Sequence, residues 1–393
     1  MRVTLIVRHD LSFFEDEMRH SGSRPKNDRS CLTISVTPRA GWAREASRDG
    51  EVLIVALIGI DVGNTNCKLA IREGGGMRLV SGHTPDNMVR DGDVSSPDTM
   101  AKFLKSVRDS ERVRERNCVL VLTSSQLYFR HVSLPPMSTS ELMLNLPYEF
   151  RDFIQDDPEE YIYDYAVDEI KRDEEGNVER MELYASAVPK ALVNSYADML
   201  RKAGFRLKVA TPSQMAYMRL LRSHATAVGG QADELSEDQD VVLVDIGHAN
   251  VVISLFHGMR YDSARTIDFG CDEFDQIIAD LKGIDPYTAA AFKFNNFEGV
   301  LDEPECLALC DRFALEVSKV VNFYNFSNPE REIGMLYFLG GGASIKQLTS
   351  TIADAIAVPT ASIEELLPPE ARGQENSPVC ALAVGGILEG ESM

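Results

Sequence analysis

The stretch "LIGIDVGNTNCKLAI", Leu57 to Ile71, decides the reading of this chain. It sets Asp61, Gly63, Asn64, Thr65 and Asn66 between two apolar runs, with Lys68 just beyond. The runs predict strands over 53–61 and 67–72, joined as a hairpin. A bland turn needs only two or three such residues, so the loop asks for a further role.

The same device returns in "VVLVDIGHANVVISLF", residues 241–256. Asp61 aligns with Asp245, Gly63 with Gly247 and Asn66 with Asn250, which predicts two similar lobes and not a solenoid. A third element, "MLYFLGGGASIKQL" (335–348), reads as a buried strand, the glycines Gly340, Gly341 and Gly342, then a helix. One D-x-G-x-[TN] copy fits a plain hairpin, and one strand-GGG-helix fits a tight turn. The ordered triple points to phosphate. Glycine lets backbone N–H groups turn toward phosphate oxygens. Asp61 and Asp245 are the candidates to hold Mg²⁺ through water. Asn64, Thr65 and Asn66 supply neutral donors and Lys68 a positive charge. The helix start after the glycines can face an anion or a flat base.

Bulk properties exclude several classes. The chain has 393 residues, enough for two lobes, with 44% hydrophobic and 26% charged content. A formal net charge of −21 argues against a nucleic-acid surface and against adhesion to an anionic leaflet. The longest apolar run, "VLIVALIGI" (52–60), falls short of the roughly 18 to 20 residues of a membrane span. Asp10, Glu15, Asp16 and Glu17 interrupt any secretory h-region. A cytoplasmic protein is expected, reaching a membrane only through partners. Cys31, Cys67, Cys118, Cys271, Cys306, Cys310 and Cys380 form no CxxC pair and read as reduced thiols. Cys306 and Cys310, four apart, would share a helix face.

Residues 1–52 mix both charges with Gly, Ser and Pro and read as a disordered extension, or as sequence ahead of a true start near Val52. The first lobe is expected over 53–125, completed by 206–230 and 365–389. It holds a helix at 101–115 and a strand at 118–124. Residues 126–205 read as an inserted α+β subdomain. Ser138-x-x-Glu141 is a capping box opening a helix in which Pro147 falls, and Gly176-Asn177 is a hairpin turn. A helix follows Pro189 and stops at Gly204. An acidic linker at 229–240 precedes the second lobe, 241–364, with a small helical subdomain at 271–309.

The triple resembles the phosphate-1, phosphate-2 and adenosine motifs of the actin-like ATPase superfamily, which has a ribonuclease H-like two-lobed fold. The segments "TSSQLYFRHVSLPPMSTSEL", "YEFRDFIQDDPEEYIYDYAV" and "LYASAVPKALVNSYADMLRKAGFRLKVATPSQMAYMRL" are similar to the inserted subdomain of the PilM family of type IV pilus assembly proteins, relatives of FtsA. The resemblance covers about 53–389. It implies ATP and Mg²⁺ as cofactors, with Ala343 joining the adenosine loop and His248 the second phosphate loop. It also implies a short N-terminal cytoplasmic peptide of a PilN-like membrane protein at the inserted subdomain, alongside other pilus platform proteins, and leaves a homodimer open. Apolar pockets for such a peptide are expected near "LYFRHVSLPP" and Tyr148–Ile154, though the same residues could simply close the subdomain core.

The chain departs from its relatives at three places. His248, Ala249 and Asn250 stand where related ATPases carry Gly-Gly-Thr or hydroxyls. In "AAAFK" (289–293) Lys293 matches an Ala-Glu-x-x-Lys pattern, but Ala290 replaces the ribose-binding acid. Ser213 stands where MreB-like relatives place a water-polarising glutamate, and Gln214 is the nearest polar substitute. Glutamine is a poor base, so weak hydrolysis or none is expected and no catalytic base is assigned. Alternatives are an FtsA- or MreB-like filament former and a sugar-kinase-like phosphotransferase. Against them stand the short acidic tail "CALAVGGILEGESM" and the lack of a kinase-like base in the inserted segment.

Overall fold

The computed structural model describes residues 58–227 and 239–388, with two short strands ahead of them. Those strands, Arg44–Ala46 and Val52–Ile54, pair with each other antiparallel. The rest of the expected extension, and 229–238 of the expected linker, lie outside the described residues.

Short 3-10 turns and two-residue strands aside, the chain begins with β1 (Ile58–Val62), β2 (Asn66–Glu73), β3 (Gly76–His83), α1 (Pro97–Ser110), β4 (Asn117–Leu122) and β5 (Tyr128–Leu134). It continues through α2 (Thr139–Glu149), β6 (Tyr161–Arg172), β7 (Val178–Pro189), α3 (Lys190–Ala203), β8 (Arg206–Pro212) and α4 (Ser213–Ala227). Then come β9 (Asp240–Ile246), β10 (Val251–His257), β11 (Arg260–Ile267), α5 (Asp272–Lys282), α6 (Pro286–Phe294) and α7 (Pro304–Ser327). The last elements are β12 (Ile333–Leu339), α8 (Lys346–Ala355), β13 (Thr360–Ser362) and α9 (Ala381–Ile387).

Two boundaries differ from expectation. Within the strand expected over 53–61, Val52–Ile54 pairs with Arg44–Ala46 and Ile58–Val62 belongs to a different sheet, and an apolar run carries no signal for which sheet its residues join. The helix expected over 101–115 starts earlier, at Pro97, whose fixed φ suits a first turn. It also ends earlier, where Arg112 takes a φ of +52°.

The described chain divides into two compact units, one of residues 91–213 and one of 59–90 with 214–388. In the first, β4 and β8 run parallel, while β6, β7 and β5 form a separate antiparallel sheet in that order. The capping box of Ser138 and Glu141 is formed, and α2 continues through Pro147. Leu142, Leu146 and Phe150 bury against Met181, Leu183 and Ala185 of β7, each large apolar side chain contributing about 1.5–3 kcal/mol. Gly204 ends α3 with φ +92°, the left-handed stop its sequence position predicts.

In the second unit β1 bonds to β2 and β2 to β3. The other sheet has the order β11-β10-β9-β12-β13, an antiparallel meander followed by two parallel strands. Its core joins Val242, Val244 and Ile253 to Phe274, Phe313 and Leu348. Cys306 and Cys310 lie in that core on one face of α7, and the six cysteines within the described residues are buried free thiols. A Cβ on Gly59 would overlap the Ala383 carbonyl, and one on Gly385 would overlap that of Ala216. α9 therefore packs backbone-close on both β1 and α4, which fixes two elements that carry site residues. Among the described residues no helix is long and apolar enough to cross a membrane.

Candidate functional site

The β1–β2 and β9–β10 loops close with the same hydrogen bond. The Gly63 N–H donates to the Asn66 carbonyl at 3.0 Å, and the Gly247 N–H to the Asn250 carbonyl at 2.9 Å. The sequence repeat is thus a repeat of bonding. Both glycine amides are engaged in the turn, so they are not among the N–H groups that can face a phosphate. Close backbone approach favours glycine at both: a Cβ at 63 would stand 3.0 Å from the Asn66 carbonyl oxygen and 2.8 Å from the movable Lys68 Nζ, and one at 247 would stand 2.8 Å from the Asn250 carbonyl oxygen. The N–H groups of Asn64, Thr65, His248 and Ala249 meet no acceptor among the described residues. Thr84 braces the first loop, its N–H donating to the Thr65 carbonyl at 2.8 Å and its hydroxyl to the Gly63 carbonyl at 3.2 Å.

Asp61, at the end of β1, is only 3% exposed. Lys68 reaches back from β2 and places Nζ 3.0 Å from Asp61 Oδ2. Asp245 ends β9 in the equivalent place and accepts a hydrogen bond from the Tyr217 hydroxyl of α4 at 3.0 Å. Burial works against the Lys68 ammonium, but the Asp61 and Asp245 carboxylates outweigh it and hold its pKa above the ordinary lysine value. Burial pushes the Asp245 carboxyl up; Lys68 opposes this, and the Asp61 charge adds to it. Burial and the Asp245 carboxylate hold the Tyr217 phenol well above its ordinary value. Two carboxylates share one ammonium here, an arrangement short of positive charge.

The third loop completes the cluster. After β12, Gly340 adopts φ +84° and ψ 176° and lies against β9, where a Cβ would overlap the Asp245 carboxylate and stand 2.6 Å from the Ile246 carbonyl oxygen. A Cβ on Gly341 would meet nothing within 4 Å, whereas Gly342 packs on Ile246 and on the Cys271 sulfur. Ala343 follows in a short 3-10 turn. The structure thus brings together Asp61, Gly63, Lys68, Asp245 and Gly340, with Asn64, Thr65 and Asn66 in the adjoining loop.

Lys293 is held apart from that cluster. Its Nζ pairs with Asp275 Oδ1 at 2.6 Å and donates to the Cys271 carbonyl at 2.7 Å. Burial raises the Asp275 carboxyl, against the pull of Lys293 and of His248. The His248 carbonyl accepts the Asp272 N–H at 2.9 Å, so the second loop is anchored to the start of α5. Gln214 is hydrogen-bonded with the Tyr261 hydroxyl of β11. Sequence reasoning missed Tyr217 and Thr84. The one signal for Tyr217 was a hydroxyl in the otherwise apolar "MAYM", and Thr84 belongs to no motif. Among the described residues no group of three or more His, Cys, Asp or Glu is placed to hold a metal ion by itself.

The family described as type IV pilus assembly protein PilM matches residues 59–373. The chain belongs to that family. A solved PilM-PilN type IV pilus biogenesis complex is similar at 21% identity and TM-score 0.67, covering 84% of this chain and 96% of that one. Ethanolamine utilization protein EutJ from Carboxydothermus hydrogenoformans is similar at 14% identity and TM-score 0.51, covering 85% and 89%. The fold is that of the actin-like ATPases, as the paired hairpins and strand-GGG-helix element predict. In this PilM-family chain the matched region holds every candidate site residue, from Asp61 to Ala343.

Proposed function

We propose that this PilM-family chain is an ATP- and Mg²⁺-binding docking component of type IV pilus assembly. It works at the cytoplasmic face of the inner membrane and reaches that membrane only through partners. The reading is carried by the meeting of Asp61, Lys68 and Asp245 with the Gly340 loop. The residues present fit the nucleotide: the four loop amides without acceptors suit phosphate oxygens, and the open side of Gly341 leaves room for a flat base. Asp61 and Asp245 would hold Mg²⁺ through water, and Lys68 would stay beside them. The metal supplies positive charge for the phosphates. Because Gln214 is a poor base and is engaged by Tyr261, the nucleotide serves as a structural or switching ligand with weak turnover.

Mg-ATP at 100 times its dissociation constant should stabilise the parent by about 2.7 kcal/mol, and Asp61→Ala should lose that gain. Thermal unfolding with and without Mg-ATP measures it. No gain in the parent would end the nucleotide reading.

Docking is assigned to the inserted segment because its surface is apolar where a partner could sit and because the similar solved protein is a complex with PilN. Leu144, Tyr148 and Phe153 are 73%, 66% and 52% exposed. The Arg130 guanidinium lies over the Phe153 ring, 5.2 Å from its centre. A synthetic N-terminal peptide of a PilN-like protein should bind saturably in calorimetry, and Leu144→Glu should weaken it about tenfold. Unchanged affinity in that variant would move the docking site elsewhere.

A further inference from the structure

α6 turns an apolar face to solvent. Tyr287, Ala291 and Phe294 recur at i, i+4 and i+7, so they share one side of the helix. Tyr287 is 73% exposed and Phe294 is 81% exposed, while Ala289 on the far side is fully buried in the core. Phe292 packs on the same core, and its ring centre lies 4.6 Å from that of Phe297. Phe297 is itself 49% exposed and extends the apolar surface past the end of the helix. Asn296 and Glu298, on either side of it, adopt φ +44° and +54°. Left-handed backbone at such residues persists where the surroundings hold it, and it clusters at binding surfaces. Here the Asn296 N–H donates to the Lys293 carbonyl at 3.1 Å, and its side-chain oxygen accepts the Leu301 N–H at 2.9 Å. A strained loop that keeps an aromatic ring at the surface, beside two more exposed rings, marks a contact surface.

The charges select what fits it. Residues 272–305 hold nine carboxylates against two lysines, so a third of the chain's net charge of −21 falls in this stretch. Both lysines are already paired, Lys282 with Glu303 at 3.1 Å and Lys293 with Asp275 at 2.6 Å, and Glu273 pairs with Arg312 of α7. Asp272, Asp280, Asp285, Glu298, Asp302 and Glu305 pair with no cation among the described residues. Asp285 caps α6 just ahead of Tyr287, and Glu298 follows Phe297, so the apolar face carries a carboxylate at each end. A second copy would bring these same carboxylates together at a two-fold contact, and an anionic membrane would repel them. A cationic partner is instead steered in, and its ammonium or guanidinium groups can also sit over the exposed rings. The shape follows from Ala291. A small residue between two rings leaves a notch that takes the ridge of a crossing helix.

We propose that the Tyr287–Ala291–Phe294 face of α6, together with Phe297, docks a basic amphipathic helix of a partner protein. Fluorescence anisotropy on the full chain tests it, with a labelled synthetic helix that carries leucine on one face and lysine on the other. The comparison peptide has glutamate in place of lysine. The lysine helix should bind saturably, and the glutamate helix about tenfold more weakly. Tyr287→Ser and Phe294→Ser should each weaken the lysine helix about tenfold, and both side chains are too exposed for folding to be at issue. Glu298→Gln should weaken it less and flatten its dependence on salt. Phe326→Ser removes an equally exposed ring from the end of α7 and should leave the affinity unchanged. An equal loss in that variant would mean that the helix adheres to any apolar spot on an acidic chain, and the proposal would fall. No binding by the parent, equal binding of the two helices, or indifference to both serine variants of α6 also overturns it. So does self-association of the chain that Phe294→Ser abolishes, because the occupant would then be a second copy.

Discussion

Lys68→Met should destabilise the protein by about 3–5 kcal/mol at neutral pH, measured by urea unfolding. Among the described residues the lysine is the cation that holds Asp245 down, and it sits 3.0 Å from the almost fully buried Asp61 carboxylate. Removing it leaves two carboxylates facing each other, with the Tyr217 hydroxyl as the remaining donor to Asp245. The sign of the pH dependence follows from Asp245. Its folded-state pKa is already raised, so the folded protein holds a proton more tightly than the unfolded chain does. The cost of that charge is therefore in force above the folded value and is relieved as pH falls toward the ordinary carboxylate value. Deleting Lys68 pushes Asp245 further up, so the loss should shrink steadily from neutral to mildly acidic pH. Mg²⁺ should also recover part of it in the variant. A loss that is constant with pH would mean that packing, and not charge, holds this corner.

Gly340→Ala should destabilise by about 3–5 kcal/mol and remove nucleotide-dependent stabilisation with it. Two penalties combine at that position. The backbone conformation, φ +84° and ψ 176°, is one that essentially only glycine adopts. The added methyl would also overlap the Asp245 carboxylate and crowd the Ile246 carbonyl at 2.6 Å. Gly341→Ala is the control. It lacks the positive φ and meets nothing within 4 Å, so its stability should change by no more than about 0.5 kcal/mol. Equal losses in the two variants would show that the loop tolerates no side chain at all and that contact with Asp245 is not what matters.

These two residues mark how far the sequence could be read. Asp61, Asp245 and the glycines stand at fixed spacings within short segments, and a loop's needs are written locally. So were the Ser138 capping box, the Gly176 turn and the Gly204 stop. What the spacing did not carry is which loop touches which. Lys68 was legible as a charge near phosphate but not as the counter-ion of Asp61. Lys293 was legible as a family lysine lacking its usual acid at position 290, yet its partner, Asp275, comes from the preceding helix. Tyr217 reads as one more core residue until α4 is docked, because only the docked helix aims its hydroxyl at Asp245. Such contacts join residues far apart along the chain, and no local period encodes them.

The backbone-close packing of α9 bears on how the molecule is made. The strand carrying Asp61 is among the first described parts to be synthesised, yet Gly59 is covered by Ala383, more than three hundred residues later. Contacts that wait on such a long stretch of chain form late and slowly. On the ribosome the β1–β2 hairpin must therefore leave its apolar face without its final cover through nearly the whole of translation. An apolar strand left uncovered for that long is a segment that a chaperone can hold while the chain is growing.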